Sequence, residues 1–370
     1  MDTDRELLRR RLIATGLVAP QAVSVHDAVR RLACMQGQDL RGVMTSIALR
    51  VPGSSKADVV DAMNRGVIVR GYPMRTTVFA LSATDLPWMG ELLRPSFARE
   101  LERRRSQLGT SAEEIARAGD IALEGIAASM QGGPRPGLTR AELAEAWRAA
   151  GLDATGPKVY HFLVNLMIEG LLAYGPWDAE QREQRVIAQE SWLPSGNMIA
   201  DRFGGDRSAA ISEWLRRYLI SHGPATLRDF AWWTKLGLAE IRRALPTAVE
   251  ELVELEIEGE RAWVSPEVMD AADDVLRAAE RSFLLPGFDE IVLGYKDRGY
   301  LLTPEEHRQV VPGNNGVFRG LAIDRLRPLA TWKRLQRAAG EKLELTPLVT
   351  ASISQRAERD LERTFAKLPR

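Results

Sequence analysis

Two glutamines one residue apart, Gln36 and Gln38, with Gly37 between them and Asp39 directly after, are the residues of this 370-residue chain most suited to chemistry. A primary amide offers a carbonyl acceptor and two N–H donors but is too weakly basic to act as a general base. It can, however, accept a hydrogen bond from a water and aim that water. It can also present a carbonyl dipole to a centre that becomes positive. Asp39 is the competing group. Its carboxylate would stabilise a developing cation more strongly, and it is equally suited to capping a following helix. As residue types alone, the two glutamines also fit a solvent-exposed loop with no chemistry.

Other chemistries are poorly served. Cys34 is the single cysteine, so no intramolecular disulfide can form, and a buried filler role fits a free cysteine best. With four histidines and no paired-cysteine or His-x-x-Glu-His spacing, neither a metal site nor a cofactor is expected. Lysine plus arginine and aspartate plus glutamate both number 50. That balance argues against general coating of nucleic acid but leaves room for a locally basic channel. No run approaches the ~20 apolar residues of a membrane span, and the charged start Met1-Asp2-Thr3-Asp4-Arg5-Glu6 is no signal peptide. A cytoplasmic, nucleoid-associated protein without membrane contact is the expectation.

The elements that must position the glutamines follow from periodicity. Residues 5–18 read as a helix ended by Pro20, and Ser24-x-x-Asp27 starts a second one whose apolar spacing runs down to Gln36. Residues 46–51 fit helix or strand, and 56–64 a short helix. Residues 67–81 are β-branched and aromatic with Gly71-Tyr72-Pro73 inside, which predicts a hairpin turning there. Helices followed by a hairpin make a winged helix. Residues 85–131 read as mostly helical, with Arg103-Arg104-Arg105 on a solvated face, and 131–137 as a linker.

Two later segments resemble each other, each a Gly and a Thr cap, an amphipathic helix ending in Trp, a second helix and then β-rich text. The caps are Thr139-x-x-Glu142 and Thr226-x-x-Asp229, and Glu258-Gly259-Glu260 closes the last hairpin. Trp147, Trp214, Trp232 and Trp233 fall on core-facing positions. Beyond residue 281 short strands and turns predominate, with Gly313-Asn314-Asn315-Gly316 as a hairpin turn, strands at 329–333 and 342–345, and a tail helix from Ser354. The fold class is therefore mostly α with β: three tandem winged helices plus a small C-terminal β-barrel or sheet. The modules fall at 1–82, 83–200, 201–280 and 281–370.

Several stretches together resemble the AlkZ/YcaQ-like bacterial winged-helix DNA glycosylases. They are Gln36-Gly37-Gln38-Asp39, Tyr72-Pro73-Met74-Arg75-Thr76-Thr77, His222-Gly-Pro-Ala-Thr226, Leu285-Pro-Gly-Phe-Asp-Glu290 through Leu293-Gly-Tyr295 with Asp297-Arg298, and Val311-Pro-Gly313 through Arg319. The resemblance implies a C-shaped array of three winged helices and a barrel, with Gln36 and Gln38 as the catalytic pair facing DNA. It implies a glycosylase for bulky cationic N7- or N3-alkylpurines, with interstrand crosslinks in range, serving repair or self-resistance to a genotoxic natural product. A DNA-contacting hairpin is expected at Gly313–Arg319. Two departures stand out: Gly37 where a hydrophobic residue is usual, and Arg75-Thr76-Thr77-Val78-Phe79 where Arg-Gly-Thr-Leu-His is common.

The chemistry is consistent with amides. Alkylation makes the purine cationic, so it leaves as a neutral molecule and lowers much of the barrier itself. Glutamines then suffice to aim a water at C1′ and to face the sugar cation. Arg75, Thr76, Asn314, Asn315, Arg319 and Lys333 are the candidate DNA contacts. Damaged double-stranded DNA is the expected partner and a monomer the expected state. No lysine stands near Gln36 in sequence, Lys56 being the nearest, so a monofunctional enzyme is expected. Bulky adducts call for an open channel rather than a deep aromatic pocket. The rival readings are a winged-helix DNA-binding regulator without catalysis and a protein-interaction scaffold.

Overall fold

The computed structural model describes residues 3–132, 136–314, 316–337 and 340–370. The chain divides into two compact units, one formed by residues 1–58 with 211–370 and the other by 59–210. No described helix is long and apolar enough to cross a membrane.

In the first unit, the Thr3–Ala14 helix buries Leu8 and Leu12. The Ser24 side chain accepts from the Asp27 N–H and starts the Val25–Arg31 helix. That helix does not continue to Gln36 as its periodicity predicts. Ala33 adopts a left-handed conformation (φ 64°), and Cys34–Gln36 is a strand. Leu32, Ala33, Cys34 and Met35 are all buried, so tertiary packing overrides the local pattern. Asp39 then caps the Leu40–Ala48 helix, accepting from the Gly42 N–H at 3.0 Å. The ambiguous text from Ser46 is helical as far as Ala48.

Further along this unit, Thr226 and Asp229 form a reciprocal capping box at the Leu227–Thr234 helix, which is followed by the Leu238–Ala248 helix. Strands Val253–Ile257 and Glu260–Val264 pair across Glu258 and Gly259, both at positive φ, the geometry a two-residue hairpin favours. Trp214 and Trp233 are fully buried among Phe230 and Tyr218. Trp232 departs from the core expectation. It is half-buried, with the Arg298 and Lys235 cations over its ring.

The C-terminal part is an open sheet, not a barrel. Its strands run Gly340–Pro347, Arg327–Arg337, Gly320–Asp324 and Phe283–Leu285 in that order, all antiparallel, and the two outer strands do not close on each other. Closure is not needed to hide the apolar face. The Gln355–Ala366 helix covers it with Leu361 and Phe365 against Leu284, Ala322 and Ala330. The outer strand carries Glu341, Lys342 and Glu344, charges that keep an open edge soluble. Gly320 pairs with Trp332, so residues 333–337 pair only with 340–344 and run on past the sheet as a two-stranded ribbon.

In the second unit, four antiparallel strands lie in the order Thr77–Ser82, Ile68–Met74, Leu172–Asp178, Glu183–Ala188. The helices are Leu86–Leu108, Ala112–Gly132, Arg140–Ala149 and Pro157–Ile168, with shorter turns after Ala188. Trp147 is fully buried, edge-on to Phe162, and donates to the Ala118 carbonyl. The first hairpin does not turn at Gly71-Tyr72-Pro73, which lies at an irregularity inside the strand. It turns at Arg75-Thr76, both at positive φ between the paired Met74 and Thr77.

Candidate active site

Gln36 ends its strand and Asp39 begins its helix, so Gly37 and Gln38 form a two-residue crossing between fixed ends. Gln36 is 7% exposed, and its Oε1 accepts the Gln38 backbone N–H at 3.3 Å. Gln38 itself is exposed, and among the described residues its side chain forms no hydrogen bond. One amide is thus spent on holding the turn, while the other is free to take a water or substrate. Asp39 is committed to its cap, and Gly42 is what lets it sit there. A Cβ at position 42 would stand 2.5 Å from Asp39 Oδ2.

Behind the turn lies a buried polar cluster from Asp289 and Glu290. Glu290, 1% exposed, accepts the Gln36 N–H on Oε1 at 3.2 Å and the Trp233 indole N–H on Oε2 at 3.2 Å. His222 Nε2 stands 3.5 Å from the same Oε2, with the ring stacked on Tyr218 and its Nδ1 2.9 Å from the Ser221 hydroxyl. Asp289 takes both Arg50 terminal nitrogens at 2.9 Å and the Ser46 hydroxyl at 2.5 Å. Burial alone would raise the Asp289 carboxyl, but Arg50 and Ser46 outweigh it and hold the group below the ordinary carboxylate value. Sequence reasoning noticed this stretch only as a resemblance. Two adjacent acids inside the apolar run Phe283–Tyr295 are the signal that could have marked them as buried and paired.

Directly beside the turn, a cleft of about 580 Å³ opens between Asp39, Arg41 and Gly42 on one side and Phe318, Arg319 and the Trp332–Arg334 stretch on the other. Eight of its lining side chains are charged, and among the described residues its aromatics are Phe318 and Trp332. Lys56 also lines it, against the expectation that no lysine stands near the glutamines. The Pro52-Gly53-Ser54-Ser55 turn brings Lys56 back to the Asp39 side. Lys56 is half-buried and, among the described residues, forms no ion pair. Burial, then Arg334 and Arg41, bring its ammonium below the ordinary lysine value against the opposing pull of Glu341 and Asp39.

The structure gathers some of the expected DNA contacts and separates others. Arg319 and Lys333 line the cleft. Lys333 is paired across the ribbon with Glu344 at 2.6 Å, and Arg334 pairs with Glu341. Arg75 and Thr76 belong to the second unit. There the Arg75 guanidinium lies over Phe79, and the Thr76 hydroxyl donates to Glu100 at 3.0 Å. The hairpin expected at Gly313–Arg319 is not one. Pro304–Val310 is a helix with a Thr303–Glu306 capping box, a single turn Pro312–Asn314 follows, and Val317–Arg319 is outside any strand. Asn314 closes that turn, and Asn315 lies outside the described residues. The prominent hairpin of this region is instead Arg327–Pro347, missed because its strands were read as two short separate runs. Among the described residues no cluster of three or more histidines, cysteines or acids is arranged to hold a metal.

Comparison with known proteins gives a consistent picture. The family model described as "DNA glycosylase AlkZ-like" matches residues 29–370. A curated relative, "Interstrand DNA cross-link repair glycosylase" of Streptomyces sahachiroi, is 24% identical over 347 residues, covering 88% of this chain and 85% of its own. The solved structure of Streptomyces sahachiroi DNA glycosylase AlkZ superposes with a TM-score of 0.67 at 21% identity, covering 98% of this chain and 94% of that one.

Proposed function

The chain belongs to the AlkZ-like DNA glycosylase family, and on that premise we propose that it hydrolyses the N-glycosidic bond of bulky cationic N7- or N3-alkylpurines in duplex DNA, interstrand crosslinks included. The observation that carries this reading is the exposed Gln38 amide, next in the chain to Asp39, which lines a cleft whose wall carries Arg41, Lys56, Arg319, Lys333 and Arg334 alongside three carboxylates. In this reading Gln38 receives the water that attacks C1′, and Gln36 keeps the turn in place. An amide can orient water but cannot deprotonate it, so the substrate must bring its own activation. A charged adduct does so and a normal base does not. The cleft is bounded by charged residues rather than an aromatic box, which suits an adduct that cannot enter an enclosed pocket.

Helix pairs followed by hairpins, at 140–188 and 227–264, support winged-helix modules that grip the backbone. Arg319, Lys333 and the rest of the Arg327–Pro347 hairpin are the proposed groove and phosphate contacts of the first unit, and Arg75 with Thr76 those of the second. Residues 1–82, 83–200, 201–280 and 281–370 remain the proposed modules of a monomeric cytoplasmic enzyme acting in repair or self-resistance.

Base release from duplexes carrying N7-methylguanine or a bulky N7-guanine crosslink tests the reading. Wild type should release both, and Gln38→Ala should lose release while still binding. No release from either duplex would reject it. Because Lys56 lines the cleft, borohydride trapping tests the monofunctional mode. No trapped complex is expected, and one that vanishes in Lys56→Ala would assign strand-cleaving lyase chemistry instead.

A further inference from the structure

We propose that Glu290 is the positioning residue of the glutamine turn, holding the Gln36 backbone so that the Gln38 amide meets its substrate in one orientation. The inference rests on the reading of Gln38 as the acting amide, with Gln36 bracing its turn. A carboxylate this near an N-glycosidic bond would ordinarily be suspected of acting as base or cation stabiliser. Burial excludes that here. Glu290 is 1% exposed, Oε1 is taken by the Gln36 N–H, and Oε2 by the Trp233 indole with His222 beside it. Each oxygen already has a protein donor, and the side chain is closed to solvent.

A buried carboxylate is tolerated only where its hydrogen bonds are made, and bonds to an ionised acceptor are the stronger kind. Glu290 spends one of these on a backbone N–H of the strand that ends at the glutamine turn. Gly37, between the two amides, carries no Cβ to restrict its backbone. The turn is therefore clamped from both ends, by Glu290 at Gln36 N and by the Asp39 cap at Gly42 N. Asp289 fixes the base of this clamp. Its carboxylate bonds Arg50 and caps the short Glu290–Leu293 helix, so the backbone that carries Glu290 is anchored by a buried ion pair. Glu290 is thus a positioning residue, not a catalytic one.

The test is single-turnover base release from N7-methylguanine duplex by wild type, Glu290→Gln, Gln38→Ala and the double variant. A glutamine at 290 keeps one oxygen acceptor but turns an N–H₂ toward a donor on the other side, so one of the two hydrogen bonds is broken. The expected result is a rate at least ten-fold lower for Glu290→Gln with duplex Kd within two-fold of wild type. In the double variant, Glu290→Gln should add less than two-fold to the Gln38→Ala loss, since its beneficiary is already gone. A wild-type rate in Glu290→Gln, or losses that multiply in the double variant, would overturn the proposal while leaving the glycosylase reading intact. Absence of release by wild type would overturn both. Should Glu290→Gln fail to fold, amide hydrogen exchange in wild type carries the test. Protection at Gln36 equal to that of the buried strand supports the clamp, and exchange as fast as in exposed loops refutes it.

Discussion

The Gln38 backbone N–H donates to the Gln36 side-chain oxygen at 3.3 Å, so the two glutamines that look equivalent in sequence hold unequal positions. Gln36 is an internal brace, and Gln38 is the group exposed to solvent.

That inequality predicts different phenotypes. Gln38→Ala should slow base release ten-fold or more, at least about 1.4 kcal/mol of transition-state stabilisation, with unchanged thermal stability. Gln36→Ala should slow release less and lower stability by about 1 kcal/mol for the missing buried hydrogen bond. Single-turnover kinetics beside thermal melts separate them. Equal kinetic losses without any stability change in Gln36→Ala would refute the division of labour.

The cleft cations should not weigh equally in binding. Lys56 forms no ion pair among the described residues, whereas Lys333 must release Glu344 before it can take a phosphate. Lys56→Ala should therefore weaken duplex binding more than Lys333→Ala, and removing a cation that truly binds a phosphate should reduce the salt slope by about one unit. Glu344→Gln should strengthen binding. Salt-dependent fluorescence anisotropy measures all three.

Lys56 should also stand out chemically. Its lowered ammonium value makes more free amine available near pH 8 than an ordinary lysine offers. Acylation across a pH series, read by mass spectrometry, should give Lys56 a labelling midpoint below the ordinary lysine value, and bound duplex should protect it. A midpoint at or above that value would contradict the direction of the shift.

Acid should act on the Asp289–Arg50 pair. The Asp289 carboxyl is held below its unfolded value, so its contribution is complete above that unfolded value and is lost as pH falls through the folded one. Asp289→Asn should cost about 3–5 kcal/mol at neutral pH, because it leaves Arg50 buried and unmatched. The variant should also show a shallower decline on the acid side. Urea unfolding between pH 3 and 7 checks both the size and the slope.

Local signals carried much of the fold. The capping residues Ser24, Thr139 and Thr226 and the Glu258-Gly259 turn stand where their short-range chemistry demands. What local signals missed was decided over distance. Asn314-Asn315-Gly316 has the composition of a hairpin turn, yet the capped helix before it had already fixed the chain direction. A barrel and an open sheet share the same strand text, and only the Gln355–Ala366 helix distinguishes them by covering the apolar face. The site follows the same rule. Gln36 and Gln38 were legible as types, but Glu290 lies 254 positions away and Lys56 sits across a turn, and no sequence spacing announces either.

The ribbon beyond the C-terminal sheet carries two of its cations already matched across the strands, Lys333 to Glu344 and Arg334 to Glu341, while Arg337 and Lys342 form no ion pair among the described residues. An intact backbone offers the two matched cations only an exchange of one anion for another, with little gain. Together with a formal net charge of zero, this predicts a short dwell time on undamaged duplex. Residence then depends on whatever a lesion adds to that exchange. The search for rare adducts among a vast excess of sound DNA is thus favoured by weak attraction rather than by tight grip.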